Sequence, residues 1–207
     1  MSDALTHLRR SCPKMRALIA RTGPCGLKPE RKREPYEALV RAIAHQQLHG
    51  RAAETITARF LALYPGEDFP SPAMVLATDT TVLRGCGFSA SKVAAIQDIA
   101  AKAEAGIVPT RRAATRLSDD ALIERLTSIR GVGQWTVEML LIFCLGRPDI
   151  FPVDDFGVRE GYRRIHGLEA QPKPKMLAEL ALPYAPYRST AAWYLWRAAA
   201  EKKPQAA

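Results

Sequence analysis

Two adjacent acids, Asp154 and Asp155, stand where the sequence predicts the start of a helix that continues to about His166. The N-terminus of a helix carries a positive dipole and unpaired N–H groups, which favour an ionised carboxylate. Such a carboxylate can stabilise the positive charge that develops on a sugar when a glycosidic bond breaks, and it can orient or deprotonate water. Taken alone, however, acids at a helix start more often cap the helix than catalyse a reaction.

A glycine-rich turn, Gly-Val-Gly at 131–133, lies upstream of these acids. It separates two segments whose apolar residues recur at helical spacing, 122–129 and 137–145. The glycines permit a tight turn with positive φ, and the second helix then opens with N–H groups that can bind a phosphate. With Ser118 as the cap of the first helix, the pattern predicts a helix-hairpin-helix motif over 118–146.

The composition indicates a polyanionic partner for this hairpin. The chain has 207 residues, a net charge of +9 and a pI near 9.7, and its 47% hydrophobic content supports an ordinary core. A carboxylate that follows a phosphate-binding hairpin gains a chemical role that it would lack elsewhere. The acid pair at 154–155 is therefore a candidate active site beside a DNA-binding hairpin.

Cysteine and histidine usage predicts neither a disulfide framework nor a zinc site. No Cys-x-x-Cys pair occurs, and the four histidines show no metal-ligand spacing. No signal-peptide pattern and no apolar run of membrane-spanning length is present. We therefore expect a protein with reduced thiols and no membrane segment, located in the cytoplasm and associated with the nucleoid if the source is bacterial.

Helical patterns dominate the chain, because alternating strand patterns are few and alanine is abundant. The sequence therefore predicts an all-α fold. Its helices are expected at about 3–21, 36–48, 50–64, 72–77, 79–84, 89–106, 118–129, 134–145, 155–166 and 186–201, with a flexible tail over 201–207. Ser89 is expected to cap the helix that runs to about Gly106.

Taken together, these features resemble the helix-hairpin-helix (HhH-GPD) DNA glycosylase superfamily, and most closely its 3-methyladenine DNA glycosylase II, or alkylbase, branch. A single Gly-x-Gly turn would be weak support, but several matching segments follow the family's order within about residues 36–200. These segments are 44–48, 83–89, 126–139, 151–158 and 186–196.

The resemblance implies two helical lobes with the hairpin at a DNA-binding cleft. The whole chain, 1–207, would form one glycosylase unit. A central lobe would cover about 36–145 and include the hairpin, and a second lobe would combine about 1–35 with 150–200.

The resemblance also implies a catalytic acid. Asp155 follows Gly131 by the family's spacing of 24 residues, so we predict Asp155 as the catalytic acid and Asp154 as the helix cap, with a shared role for Asp154 left open.

A reaction and a base pocket are implied as well. Trp135 stands where bifunctional relatives place a Schiff-base lysine, so the chain should remove the base by hydrolysis and leave an abasic site in an intact strand. Trp135 and Trp196 match positions that wall the base pocket, where indole faces attract a cationic, alkylated base. Met139 departs from the aromatic residue of the best-known members, which suggests a roomier or a less electron-rich pocket.

Residues of the hairpin match DNA-contacting positions of the family through their backbones. The N–H groups expected to bind a DNA phosphate belong to Gly131, Gly133 and Thr136. The carbonyl groups expected to hold a monovalent cation, Na⁺ or K⁺, belong to Thr127, Ile129 and Val132.

A polar loop follows the apolar helix that ends near residue 48. In the resembling enzymes this loop enters the minor groove and fills the gap left by a flipped nucleotide. We predict Gln47 as the plug and Gln46 and His49 as groove contacts, although the choice of plug within 46–49 stays open. A solvated helix end is the competing interpretation.

The resemblance implies a monomer that binds double-stranded DNA with alkylated bases and needs no cofactor for catalysis. An iron–sulfur cluster is not expected, because no cysteine follows Cys144. Two alternatives remain: a non-catalytic helix-hairpin-helix DNA-binding protein, and a glycosylase for another damaged base. Asp155 and the tryptophans argue against the first, and Trp135 with the missing cluster cysteines argues against common forms of the second. The sequence does not rank the alkylated bases.

Overall fold

A computed structural model describes residues 2–47 and 50–201, and within these ranges it contains helices and no strands. The predicted all-α fold is confirmed. The chain divides into two compact units: unit 1 comprises Met1–Pro29 and Gly146–Ala207, and unit 2 comprises Glu30–Leu145. None of the described helices is long and apolar enough to cross a membrane.

Unit 2 contains eight of the described α-helices. Several begin at a residue whose side-chain oxygen accepts a backbone N–H of the first turn, which supplies the partner that a helix start lacks. Ser89 and Ser118 are two of these caps, as the sequence predicts. The helices are α3 (Pro35–His45), α4 (Gly50–Ala62), α5 (Pro72–Ala77), α6 (Thr80–Gly85), α7 (Ala90–Glu104), α8 (Arg111–Ala114), α9 (Asp119–Thr127) and α10 (Gln134–Met139).

The hairpin's second helix differs from the prediction of one α-helix through residue 145. Helix α10 passes directly into a π-helix over Leu140–Leu145. Donors from other segments of unit 2 bind the carbonyl groups at its end: the Glu30 N–H lies 2.8 Å from the Phe143 oxygen, and Arg111 Nη2 lies 2.9 Å from the Cys144 oxygen. These bonds supply donors to carbonyl groups that have no partner at a helix end. They occur where the backbone widens from the α-helical to the π-helical turn.

Unit 1 contains α1 (Ser2–Ser11), α2 (Pro13–Thr22), α11 (Phe156–His166), α12 (Pro174–Leu180), a 3₁₀ turn (Leu182–Tyr184) and α13 (Arg188–Ala200). The single N-terminal helix expected over 3–21 is wrong, because Cys12 adopts extended backbone angles before Pro13. Proline disfavours the α conformation in the residue that precedes it but is well suited to a helix's first position.

Helices α11 and α13 pack at unusually close range through glycine. A Cβ at Gly161 would lie 2.0 Å from the Leu195 carbonyl oxygen, so no other residue fits there. Leu195 itself is fully buried, together with Leu8, Leu18 and Tyr194 in the core of unit 1. The close approach places the first half of α11 against the C-terminal half of α13.

Candidate functional site

The predicted catalytic acid is itself the cap of its helix. Asp155 Oδ1 accepts the Val158 N–H at 2.8 Å, and the Asp155 backbone is extended, as a cap requires. The expectation that Asp154 caps α11 is therefore wrong. The physical reason is a turn that precedes the helix: the Asp155 N–H binds the Pro152 oxygen at 3.1 Å, which leaves Asp154 exposed inside the turn.

A second donor holds the same carboxylate oxygen. The indole Nε1–H of Trp196 donates to Asp155 Oδ1 at 2.7 Å. Both side chains are half-buried, and an N–H bond to an ionised acceptor is stronger in such a setting than in water. Trp196, which the sequence predicts as a wall of the base pocket, thus also fixes the orientation of the predicted acid.

Glycine makes this pairing sterically possible. A Cβ at Gly157 would lie 2.7 Å from Trp196 Cδ1 and 3.2 Å from Asp155 Oδ1. Real Cβ atoms do not approach carbon atoms at 2.7 Å, so any side chain at 157 would displace the indole. The motif Asp155-Phe156-Gly157 therefore encodes an acid, an exposed aromatic residue and the space for a tryptophan donor.

The hairpin turn lies in unit 2, and its glycines have distinct functions. Gly131 has a φ of +77°, and a Cβ there would lie 3.0 Å from the Ala95 Cβ. Gly133 is the N-cap of α10, and a Cβ there would meet open space. The first of these glycines satisfies a backbone and packing need, whereas the second leaves the start of α10 accessible.

Two of the three predicted phosphate donors lie at the start of this helix, and the third, Gly131, lies in the turn before it. Gly133 is its cap and Thr136 its third residue, where backbone N–H groups have no partner within the helix. Thr136 as a whole residue is buried, and its function as a phosphate donor stays a prediction. The turn is held from α7, because Asp98 Oδ2 accepts the Arg130 N–H at 2.8 Å.

The predicted cation ligands extend from the end of the hairpin's first helix, α9, into the turn. Thr127 is the last residue of α9, where carbonyl groups lack helical partners and the dipole favours a cation. Ile129 contributes a carbonyl oxygen that already accepts the Val132 N–H at 3.1 Å, which leaves a second lone pair. The backbone chemistry therefore fits a monovalent ion. In the part of the chain that the structure describes, no group of acidic, His or Cys side chains could hold a metal.

The polar loop after α3 is held firmly at its beginning. Gln46 Nε2 donates to the Gly131 carbonyl oxygen of the hairpin at 3.2 Å, a contact that the sequence did not predict. Gln47 is exposed and has a φ of +56°, which is uncommon for a residue with a side chain. Leu48 and the predicted groove contact His49 lie outside the described residues.

Lys92 is a site residue that sequence reasoning missed. Its Nζ donates to the carbonyl oxygens of Ala44 and Gln46 at 2.9 and 2.8 Å. A signal was available, because Lys92 is the third residue of α7, where the helix dipole disfavours a cation. A lysine at that position indicates a specific acceptor elsewhere.

The two predicted pocket residues of unit 2 lie four positions apart on α10. Trp135 is 44% exposed, and Met139 is half-buried in a groove of about 310 Å³. Arg41 also lines this groove, and the Glu37 carboxylate, 2.7 Å from Arg41 Nε, offsets the charge of that guanidinium. Other residues that line it are Arg33, His45, Thr136, Phe143 and Cys144. Trp196 and Asp155 belong to unit 1, so the predicted site residues divide between the units.

Comparisons with known proteins agree on one family. A family model described as "HhH-GPD superfamily base excision DNA repair protein" matches residues 40–186. DNA-3-methyladenine glycosylase 1 of Schizosaccharomyces pombe is 47% identical over 166 residues, covering 80% of this chain and 73% of that protein. The alkylbase DNA glycosidase-like protein mag2 of the same organism is 37% identical, covering 92% and 90%.

A solved structure shares the fold over nearly the whole chain. It is the Schizosaccharomyces pombe 3-methyladenine DNA glycosylase Mag1 in complex with abasic DNA. The TM-score is 0.85 at 43% sequence identity, and the match covers 94% of this chain and 95% of the other.

Proposed function

Since the chain belongs to the HhH-GPD superfamily of base excision DNA repair proteins, we propose that it is a monofunctional DNA glycosylase. Its substrate is double-stranded DNA that carries an alkylated base of the 3-methyladenine type. It hydrolyses the N-glycosidic bond and leaves an abasic site, the first step of base excision repair. The relatives named as 3-methyladenine glycosylases support this substrate class.

The observation that carries the proposal is the held carboxylate of Asp155. Two N–H donors bind one of its oxygens, from Val158 at 2.8 Å and from Trp196 at 2.7 Å. A carboxylate fixed before the reaction stabilises developing positive charge without reorganising, which is the most effective form of electrostatic catalysis. A residue that only capped the helix would need just the first of these donors.

The reaction assigned to Asp155 balances as a hydrolysis. The C1′–N bond breaks and its electron pair leaves with the base, which neutralises a cationic alkylated base. Positive charge on the sugar is stabilised by the Asp155 carboxylate, and a water oxygen then bonds to C1′ as its proton is lost. No catalytic cofactor is needed for these steps.

The absence of an amine at position 135 makes the proposed enzyme monofunctional. A Schiff base with the sugar requires a primary amine, and Trp135 has none. We assign Trp135, Trp196 and Met139 to recognition of the base. The indole faces favour a cationic ring, and the flexible thioether tolerates differently placed methyl groups.

DNA binding is assigned to the hairpin and the loop of unit 2. The N–H groups of Gly131, Gly133 and Thr136 contact a phosphate, which positions the duplex without reading sequence. Gln47 fills the gap left by the flipped nucleotide. Backbone carbonyl groups of Thr127, Ile129 and Val132 would hold Na⁺ or K⁺ beside that phosphate. The protein acts as a monomer.

The test is base release from duplexes that each carry one lesion. The panel contains 3-methyladenine, 7-methylguanine, 1-methyladenine, 3-methylcytosine and hypoxanthine, and the variants are Asp155→Asn and Asp154→Asn. Asp155→Asn should lower single-turnover release by about a hundredfold or more while duplex binding persists, because one charge stabiliser is lost. Asp154→Asn, which alters an exposed neighbour, should retain release near the wild-type rate.

Two results would overturn the proposal in different ways. Binding of the duplexes without release of any base would indicate a non-catalytic DNA-binding protein. Normal release by Asp155→Asn, with loss in Asp154→Asn, would move the catalytic role to the neighbouring acid.

A further inference from the structure

The start of the polar loop is fixed by one ammonium group. Lys92 Nζ lies 2.9 Å from the carbonyl oxygen of Ala44 and 2.8 Å from that of Gln46. These two oxygens bracket the C-terminal end of α3, where helix carbonyl groups lack partners and the dipole favours a cation. Burial lowers the pKa of Lys92, and the two acceptors offset that cost.

The same loop is fixed from the hairpin. Gln46 Nε2 donates to the Gly131 oxygen at 3.2 Å, while the Gln46 backbone N–H is shared between the oxygens of Ala42 and Ile43. Residues 44–46 are therefore bound by α7 through their backbone oxygens and by the hairpin turn through the Gln46 side chain. The hairpin and the loop cannot shift independently without breaking these bonds.

These bonds precede a residue in a costly conformation. Gln47 adopts a φ of +56°, in the left-handed region that is unfavourable for an L-residue with a side chain. Such a conformation persists only where surrounding contacts determine it. The described contacts that do so immediately before Gln47 are those of Lys92 and Gln46.

We propose that Lys92 is a positioning residue for base extrusion. It holds the backbone of the loop on α7, so that Gln47 is already in place to fill the gap when a nucleotide leaves the stack. Pre-organisation of this kind removes the cost of ordering the loop during extrusion. The assignment rests on the proposed glycosylase function. It adds a link through α7 between the loop and the phosphate-binding turn, because Asp98 of the same helix accepts the Arg130 N–H of that turn.

The experiment compares a paired lesion with one that needs little extrusion. Both duplexes carry the same lesion, the one of the five that wild type releases fastest. In the paired duplex it lies opposite its normal partner base, and in the unpaired duplex it lies opposite an abasic-site analogue. The variants are Lys92→Met, Lys92→Arg and, as a matched control on the same helix, Lys102→Met. Single-turnover release measures extrusion and bond cleavage together, without product release, and thermal melting measures folding.

Lys92→Met should slow release of the paired lesion by about tenfold or more and release of the unpaired lesion by less than about threefold. Lys92→Arg, which keeps donors for the carbonyl groups, should recover part of the paired rate. Lys102→Met should match wild type on both duplexes. Equal slowing of both duplexes by Lys92→Met would overturn the proposal, because general loss of structure acts on both.

A second measurement separates this proposal from the proposed function. Wild type should bind a duplex with an abasic-site analogue more tightly than an undamaged duplex, and Lys92→Met should lose that preference with the same salt dependence. If wild type releases no base, the proposed function fails, yet this binding preference still tests Lys92. Retention of the full preference by Lys92→Met would refute the positioning role.

Discussion

Trp196→Phe isolates the hydrogen bond between the indole and the predicted acid. Phenylalanine keeps an aromatic ring at the position but removes the N–H that donates to Asp155 Oδ1 at 2.7 Å. A hydrogen bond to a charged group contributes about 1.5–3 kcal/mol, and each 1.36 kcal/mol corresponds to tenfold in rate. We therefore expect kcat to fall by roughly 10- to 150-fold.

The expected split between kinetic constants distinguishes two functions of Trp196. If the indole orients the carboxylate, kcat falls in the variant and KM changes little, because the duplex is still bound. If the ring only stacks on the base, phenylalanine retains most of that contact and kcat stays within about threefold of wild type.

Trp193→Phe is the matched control. Trp193 lies on the same helix and packs against Gly26 and edge-on to Tyr194. The same chemical change there should lower the melting temperature without a selective loss of kcat. A double-mutant cycle completes the test, because Trp196→Phe should add little to Asp155→Asn if it acts through that carboxylate. Full additivity, or an unchanged kcat, would refute the reasoning.

Three further predictions address other features. Borohydride should trap no protein–DNA adduct during base release, since Trp135 provides no amine; a covalent adduct with strand cleavage would contradict this. Gln47→Gly should melt at or above the wild-type temperature, because glycine adopts a φ of +56° without strain, whereas Gln47→Ala should show no rise in melting temperature. Both variants should release bases from paired lesions more slowly than wild type. The pKa of the Glu160 carboxylate is held well below its usual range, first by hydrogen bonds from Arg163. The contribution of ionised Glu160 to the free energy of unfolding is therefore fully present above about pH 4.5 and is lost as the pH falls. Glu160→Gln should therefore lower the melting temperature at pH 7, with a gap that narrows towards acidic pH; a constant gap would show that charge plays no part.

Local rules explain which parts of the fold the sequence predicts. The caps at Ser89 and Ser118 and the stop of α11 at Gly167 depend only on nearby residues, and the structure has each of them. The break at Cys12 follows an equally local rule, the effect of Pro13 on its predecessor, which the long amphipathic pattern obscured. The π-helix at 140–145 depends instead on donors from distant segments, and no local pattern encodes it.

The same distinction holds for the site. Asp155 could be selected from its position after the hairpin, but the finding that Asp155 and not Asp154 caps α11 depends on the turn that begins at Pro152. The contacts of Lys92 and Gln46 join residues separated by more than forty positions, 46 for Lys92 to Gln46 and 85 for Gln46 to Gly131. Such pairs become visible only once the helices are packed.

The close packing of α11 on α13 sets a limit on engineering this protein for stability. Replacing a helical glycine with alanine usually gains about 0.5–1 kcal/mol, so automated stabilisation would select Gly157 and Gly161 early. Here the two sites would fail for different reasons. At 161 the new methyl group would strike backbone, 2.0 Å from the Leu195 oxygen, and folding would suffer. At 157 it would strike the movable ring of Trp196, so a folded and soluble variant would emerge with its acid released from the indole. A library ranked by expression or melting temperature alone would therefore discard variants at Gly161. It would retain variants at Gly157 in which the indole no longer holds Asp155.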